Sequence, residues 1–281
     1  MPELPEVETV LSGLKQVFLN RTIVGVKINT PKLRNKIPLN LAPKLRNAKV
    51  IAASRRAKYM KLDLDNDHTL VVHLGMSGVL RTELANAKKT KQTHDHLRLT
   101  LDNGTEIVYR DPRRFGVIDL VKTEEVDNSA YFRNLGPEPL SRKFSAAYLQ
   151  KTFANKTVPI KQAIMDQKIV VGVGNIYASE SLFLAKIDPR RVSKTLKISE
   201  LEQLVSAIKK VLKHAIKEGG STLRDYRNIG GERGLFQMHF SVYDREGKVC
   251  PHCTCNLKKT GGIKRIVQGG RSTFYCPQKQ R

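Results

Sequence analysis

Seven short segments between residues 20 and 121 do most to limit the fold: TIVGVKI, KVIAAS, KYMKLDL, TLVVHL, DHLRLTL, TEIVYR and FGVIDLV. Each is rich in β-branched residues and partly alternates apolar with polar, the pattern of a half-buried strand. Asp102-Asn103-Gly104 lies between two of them and has the chemistry of a tight hairpin turn. Strands spaced this closely belong to a sandwich or barrel. Ahead of them Val7, Val10, Leu11, Leu14, Val17 and Phe18 recur at helical spacing, so the sheet is expected to pack on an N-terminal helix. Asn134-Leu135-Gly136-Pro137-Glu138-Pro139 breaks the strand pattern as a linker. Beyond it the period is helical. Ser199 and Glu202 form a candidate capping box for a helix with Leu201, Leu204, Val205, Ile208, Val211, Leu212 and Ile216 on one face. Gly219-Gly220 would end that helix, and the polar, glycine-rich residues 221 to 238 read as a mobile loop. The expected class is α+β.

The chain carries 50 Lys and Arg against 26 Asp and Glu, a formal net charge of +24 over 281 residues. Such an excess points to a polyanionic partner. Nucleic acid is the first candidate and an anionic membrane surface the second. The charge is spread along the whole length and not gathered in one basic helix, which counts against the membrane. No apolar run approaches the roughly 18 residues of a spanning helix. The opening MPELPEVETV is acidic and broken by proline, unlike an export leader, so a cytoplasmic protein is expected. Pro5 suits a first helical position, and the early carboxylates suit the positive end of the helix dipole. Pro2 has no such account. A small second residue commonly allows removal of Met1, which would leave a secondary amine at the chain's start.

All four cysteines, Cys250, Cys253, Cys255 and Cys276, lie in the last 32 residues. Clustering of this kind in a cytoplasmic chain points to metal and away from a disulfide framework. Cys250-Pro251-His252-Cys253 is one knuckle of a zinc ribbon, and Cys276 follows after 22 residues. The second knuckle would place a thiol at position 279, where the chain has Lys279, and an ammonium cannot ligate zinc. Cys255 is the alternative fourth ligand. A hairpin held by packing alone is the other reading.

Other stretches carry chemistry less directly. Gly172-Val173-Gly174-Asn175 lacks the third glycine of a dinucleotide site but can open a helix toward a phosphate, unless it is an ordinary tight turn. His73-Leu74-Gly75-Met76-Ser77-Gly78 and Asp111-Pro112-Arg113-Arg114-Phe115-Gly116 both fall at strand ends. Met76 and Phe115 are core residues by default for their types. If exposed, an apolar wedge beside a guanidinium is suited to entering a base stack. Arg55-Arg56-Ala57-Lys58-Tyr59 is either a solvated basic surface or the setting of a proton-moving lysine.

These stretches occur together in one family. PELPEVET, RRAKY, HLGMSG, HDH, DPRRFG, NLGPEPL, MDQKIVVGVGNIYASE and the terminal finger resemble, nearly end to end, the bacterial formamidopyrimidine-DNA glycosylases. The opening PELPEVE is closer to these than to their endonuclease VIII-like relatives. The resemblance implies a β-sandwich catalytic domain (1–133), a linker (134–140), a helix–two-turn–helix domain with a lesion-capping loop (141–238) and a zinc-finger-type hairpin (239–281). It implies base excision repair of oxidised purines in double-stranded DNA by a monomer, with glycosylase and AP-lyase steps and no organic cofactor. Pro2 is then the nucleophile, Glu3 a proton donor, Lys58 the proton donor in β-elimination, and Arg271 the residue of δ-elimination and phosphate binding. His94, Arg113, Lys156 and Asn175 match DNA-contacting positions. Met76, Arg113 and Phe115 would fill the gap left by a flipped base, with Arg113 reading the opposite cytosine. Cys250, Cys253 and Cys276 match zinc ligands, and Lys279 departs from the fourth. A non-catalytic protein that binds damaged DNA would keep the charge and the wedge without needing a Pro2 amine or Glu3.

Overall fold

The computed structural model describes residues 2–84, 93–222, 226–251 and 255–281. The chain forms two compact units, residues 1–134 with 218–235, and residues 135–217 with 236–281. In the first, α1 (Leu4–Phe18) precedes β1 (Ile23–Ile28), α2 (Leu41–Leu45), β2 (Val50–Arg56), β3 (Tyr59–Leu64), β4 (His68–His73), β5 (Val79–Leu84), β6 (Asp95–Leu101), β7 (Thr105–Arg110) and β8 (Val117–Lys122). The strands make two four-stranded sheets, ordered β1-β6-β7-β5 and β2-β3-β4-β8, antiparallel throughout. This is the expected sandwich. Alternation decides which side faces in: on β3, Met60, Leu62 and Leu64 are buried while Tyr59, Lys61 and Asp63 face outward. The stripe of α1 closes the same core through Val7, Val10, Leu11, Leu14 and Phe18. Burial of each such side chain contributes about 1.5–3 kcal/mol. The β6–β7 turn forms where the sequence put it, with the Gly104 N–H donating to the Leu101 carbonyl (3.0 Å).

Three details differ from the sequence reading. The helix α1 starts at Leu4, so Pro5 is its second residue and Glu3 its cap. β5 had no expectation attached, because Arg81 and Glu83 interrupt its apolar pattern. Both face an ionic cluster in which Arg81 pairs with Asp95 (2.7 Å), and Arg98 pairs with Glu83 (2.7 Å) and with Glu106. The loop expected within the helical domain packs instead with the first unit. Its Ser221 N–H donates to Glu6 Oε1 (2.7 Å) and its Tyr226 hydroxyl to the Glu6 carbonyl (3.3 Å).

The second unit contains α3 (Ala146–Phe153), α4 (Ile160–Met165), α5 (Asn175–Leu184), α6 (Ile198–Lys217), α7 (Leu257–Thr260) and a hairpin of β9 (Lys264–Gln268) and β10 (Arg271–Tyr275). The face read for α6 is buried from Leu201 to Leu212. Its cap is not the expected one. The helix begins two residues before a Ser199 cap would allow, and the Glu200 carboxylate accepts the Lys197 N–H (2.8 Å). Between α4 and α5 the chain makes two turns stapled by Gln167, whose carbonyl accepts the Gly172 N–H (2.8 Å) and whose amide donates to the Val173 carbonyl (3.2 Å). The C-terminal finger is part of this unit. Its own small core joins Val242, Cys250, Ile263, Phe274 and Cys276 to Phe183 of α5.

Candidate active site

Pro2 and Glu3 are buried at the start of α1, and Glu3 is 3% exposed. The Glu3 N–H donates to Glu6 Oε2 (2.8 Å) in a capping box, which satisfies an otherwise orphaned backbone donor. Glu6 is itself buried, and its other oxygen takes the Ser221 N–H. One carboxylate therefore fixes the backbone next to Pro2 and the start of the 218–235 segment together. Sequence reasoning missed this, since Glu6 and Ser221 lie 215 positions apart.

Lys58 lies in the two-residue turn between β2 and β3 and is 7% exposed. The next residue, Tyr59, pairs with His73 on β4, and the two rings pack 4.6 Å apart. Burial first, then the charges of Lys58 and Arg34, push the His73 imidazole down to about 4, against a smaller upward pull from Asp111. The ring is thus neutral at neutral pH. Its Nδ1 accepts the Gly75 N–H (3.0 Å), which leaves the proton on Nε2. The positive charge of Lys58 is therefore one of the causes that keep the His73 ring neutral.

The wedge loops are built on Asp111, which is fully buried. Its carboxylate accepts from Ser77 Oγ (2.6 Å), the Gly116 N–H (2.8 Å) and the Tyr109 hydroxyl (3.3 Å). Ser77 Oγ in turn accepts the Arg113 N–H (3.2 Å). The two loops press so closely that a Cβ on Gly75, already at φ +61°, would lie 2.5 Å from the Gly116 nitrogen. What they present is Met76, 38% exposed, and Phe115, 47% exposed, with the Arg113 guanidinium 4.8 Å from the Phe115 ring centre. Neither apolar residue belongs to the core. His94 joins them from the start of β6, where its carbonyl accepts the Asp111 N–H (3.1 Å). One end of the first unit thus gathers His94, Met76, Arg113 and Phe115.

In the second unit, Gly174 caps α5 and Asn175 is its first residue. The Asn175 side-chain oxygen accepts from Lys161 Nζ (2.6 Å), and its amide donates to the Ser272 carbonyl (2.9 Å). Lys161, 1% exposed, also donates to the Ser272 carbonyl (3.1 Å) and Thr273 Oγ1 (2.7 Å). This buried ammonium ties the mouth of α5 to the hairpin tip. There Gly269 and Gly270 both take positive φ, as a two-residue hairpin loop of the I′ kind demands. Arg271 stands exposed beside that loop, next in sequence to the residue Asn175 holds. Lys156 is half-buried just after α3, its carbonyl accepting the Lys194 N–H (3.1 Å). The Glu180 carboxylate accepts three successive backbone N–H groups, of Ser241, Val242 and Tyr243 (2.9, 2.9 and 2.8 Å), and so pins the start of the finger to α5.

The sulfurs of Cys250, Cys255 and Cys276 all lie within 4.8 Å of one another. This is a donor set that could take a soft metal ion. Cys250 and Cys276 are thiols, and burial pushes Cys250 up to about 11, so a metal must displace its proton. Cys255 brings the third sulfur, 3.3 Å from that of Cys276. Cys253 lies outside the described residues. Lys279 offers no ligand. Its ammonium sits 4.3 Å from the centre of the Phe183 ring, and its N–H points to Cys276 Sγ (3.4 Å). The described residues do not make up a closed tetrahedral site.

Two family models match the chain in order: the formamidopyrimidine-DNA glycosylase N-terminal domain over residues 1–118, and the formamidopyrimidine-DNA glycosylase H2TH domain over residues 135–227. The chain belongs to the formamidopyrimidine-DNA glycosylase family. It is 45% identical to a formamidopyrimidine-DNA glycosylase of Zymomonas mobilis and 44% identical to one of Rhodospirillum rubrum, over 100% of each chain. Among solved structures it is similar to Lactococcus lactis Fpg in complex with an abasic-site DNA (TM-score 0.89, 32% identity, 99% of each chain). It is also similar to the same enzyme with an N7-benzyl-Fapy-dG DNA (0.89, 32%, 100% of each chain). The MutM (Fpg) protein of Thermus thermophilus is a further neighbour (0.86, 34%, 99% of this chain and 98% of that one).

Set in this glycosylase family, most of the residues singled out in the sequence fall at three places: the start of α1 with the β2–β3 turn, the wedge loops, and the mouth of α5 with the hairpin tip; Lys156 follows α3, and the cysteines lie in the finger. The residues that sequence reasoning missed hold these in shape: Glu6, Asp111, Gln167, Lys161 and Glu180. A buried charged or amide side chain must be partnered, and a polar residue inside a motif carries no sign of being buried until its neighbours are known.

Proposed function

We infer that this glycosylase excises oxidised purines, 8-oxoguanine and formamidopyrimidines, from duplex DNA and then cleaves the strand by β,δ-elimination in base excision repair. After removal of Met1, the Pro2 nitrogen attacks C1′ of the damaged nucleotide. An N-terminal amine has a pKa near 8, so a useful fraction is neutral in a cell. As the N–C1′ bond to Pro2 forms, the bond from C1′ to the base breaks and the nitrogen gives up its proton; the C1′–O4′ bond of the sugar then opens, with Glu3 supplying the proton that O4′ takes up. The resulting iminium withdraws electrons from C2′, so a proton leaves C2′ and the 3′ phosphate departs, with Lys58 as proton donor. A second elimination, with Arg271 at the phosphate, releases the 5′ side. The observation that carries this reading is the α1 start: Glu3 is buried directly after Pro2, on a backbone held by Glu6. The damaged-DNA complexes of the Lactococcus lactis neighbours support the substrate class. Among the described residues no helix is long and apolar enough to cross a membrane, and the +24 charge favours DNA as partner. A cytoplasmic monomer suits that role. The finger holds zinc weakly or not at all, and no chemical step depends on it.

The test is a duplex with 8-oxoguanine opposite cytosine, incubated with borohydride. The enzyme should become cross-linked to DNA and should cleave the strand, and Pro2→Gly, which replaces the secondary amine of an obligatory cationic iminium by a primary amine, should lower cross-linking by about tenfold or more. Binding without cross-linking would instead mark a non-catalytic damage binder.

A further inference from the structure

Lys58 shares its turn with a residue in an uncommon conformation. Arg56 pairs with Tyr59 across β2 and β3, so Ala57 and Lys58 are the whole of the hairpin loop. Ala57 has φ +55°, while Lys58 is not among the positive-φ residues. A loop with positive φ at its first position only has the sign pattern of a II′ turn, and that position is normally glycine. Alanine there is strained, and strain persists only where the surroundings hold it. The surroundings here include Arg55. Its Nη1 donates to the Ala57 carbonyl (2.9 Å) and its Nε to Glu8 Oε2 of α1 (2.6 Å). Arg55 is 10% exposed at the side chain and Glu8 29%, so this is a partly buried, charge-assisted pair and not a loose surface contact. α1, which begins at the Glu3 cap, packs on both β2 and β3.

We propose that Arg55 is a positioning residue for Lys58: it clamps the left-handed turn at Ala57 and ties it to α1 through Glu8, so that the lysine is held where the elimination needs its proton. The proposal rests on the reading of Lys58 as proton donor in β-elimination. The Arg55 guanidinium is engaged by Glu8 and the Ala57 carbonyl, so its loss separates two steps. Formation of the Pro2 iminium does not depend on the turn, whereas elimination does.

The test uses the full-length protein, freed of Met1, and a duplex with a preformed abasic site, in single turnover. Borohydride trapping reports the iminium and strand scission reports elimination. Arg55→Met should leave trapping within about twofold and slow scission about tenfold, a loss of roughly 1.4 kcal/mol of transition-state positioning. Arg55→Met/Ala57→Gly should recover most of that loss, because glycine adopts positive φ without a clamp. Scission by Arg55→Met at the unsubstituted rate, an equal fall in trapping and scission, or a defect that Ala57→Gly does not relieve each overturns the proposal. Lys58→Ala is run alongside. If it cleaves as fast as the unsubstituted enzyme, the reading of Lys58 fails and this proposal with it; if it is slow and Arg55→Met is not, the clamp alone is wrong.

Discussion

His73 illustrates how the site chooses protonation states. The half-buried imidazole lies between Tyr59 and the Gly75 turn, and it faces the positive charges of Lys58 and Arg34 with Asp111 as a smaller offset. Its folded-state pKa of about 4 lies below the 6.5 of an unfolded histidine. The unfolded chain therefore binds the extra proton first as pH falls. Stability from this group is complete above pH 6.5, is lost as pH drops from 6.5 to 4, and changes no further below that. At pH 5 the loss is on the order of 2 kcal/mol relative to pH 7. His73→Gln keeps an acceptor for the Gly75 N–H but cannot titrate. The fall in thermal midpoint between pH 7 and pH 5, followed by circular dichroism, should be smaller in the variant by several degrees. Equal falls in the two proteins would mean that the ring is not held neutral.

At the level of elements, the finger is where this chain departs furthest from the pattern its motifs suggest. The β9–β10 hairpin has supports that are not metal: Lys161 to Ser272 and Thr273, Asn175 to Ser272, Glu180 to the segment 241–243, and the small core around Phe183. Lys279 contributes a cation over the Phe183 ring, an interaction of about 0.5–2 kcal/mol. Purified, reduced protein should therefore hold well under one zinc per chain, and Lys279→Cys should raise the occupancy toward one, measured by elemental analysis after exhaustive dialysis. One tightly held zinc in the unsubstituted protein would refute this. The contrast in legibility is instructive. The strands of the sandwich could be read because β-branched residues alternate over a two-sided core, and α6 because its apolar stripe is long. β5 could not, because Arg81 and Glu83 find their partners on neighbouring strands and turn an inward-outward pattern into a charged one. The motifs singled out Pro2, Lys58, Arg113 and Asn175 as candidates, but not the side chains packed around them. Glu6 was read as one more helix-start carboxylate, and its bond to Ser221 depends on a loop that only tertiary folding brings back.

For the whole molecule, the dominant quantity is charge. Fifty cationic side chains are distributed over both units, so binding to duplex DNA should rest heavily on counterion release. The residues proposed to contact DNA then divide by what they can read. Lys156 is proposed as a DNA contact, and a lysine ammonium can neutralise a phosphate but carries no base information. Lys156→Ala should weaken binding to damaged and intact duplexes by the same factor and reduce the slope of log K against log salt by about one. Arg113 is different. Its guanidinium is steadied over Phe115, and its backbone is fixed through Ser77 by the buried Asp111, an investment that a simple phosphate contact would not require. A forked donor held so firmly is suited to base edges, where each good bidentate pair is worth about 1–3 kcal/mol of discrimination. Arg113→Ala should therefore reduce the preference for cytosine opposite the lesion by roughly tenfold or more, while changing the salt slope by no more than Lys156→Ala does. Titrations of a 20-mer with each base opposite the lesion, at four salt concentrations, separate the two effects. A uniform loss across all four opposing bases in Arg113→Ala would reduce that arginine to one more positive charge.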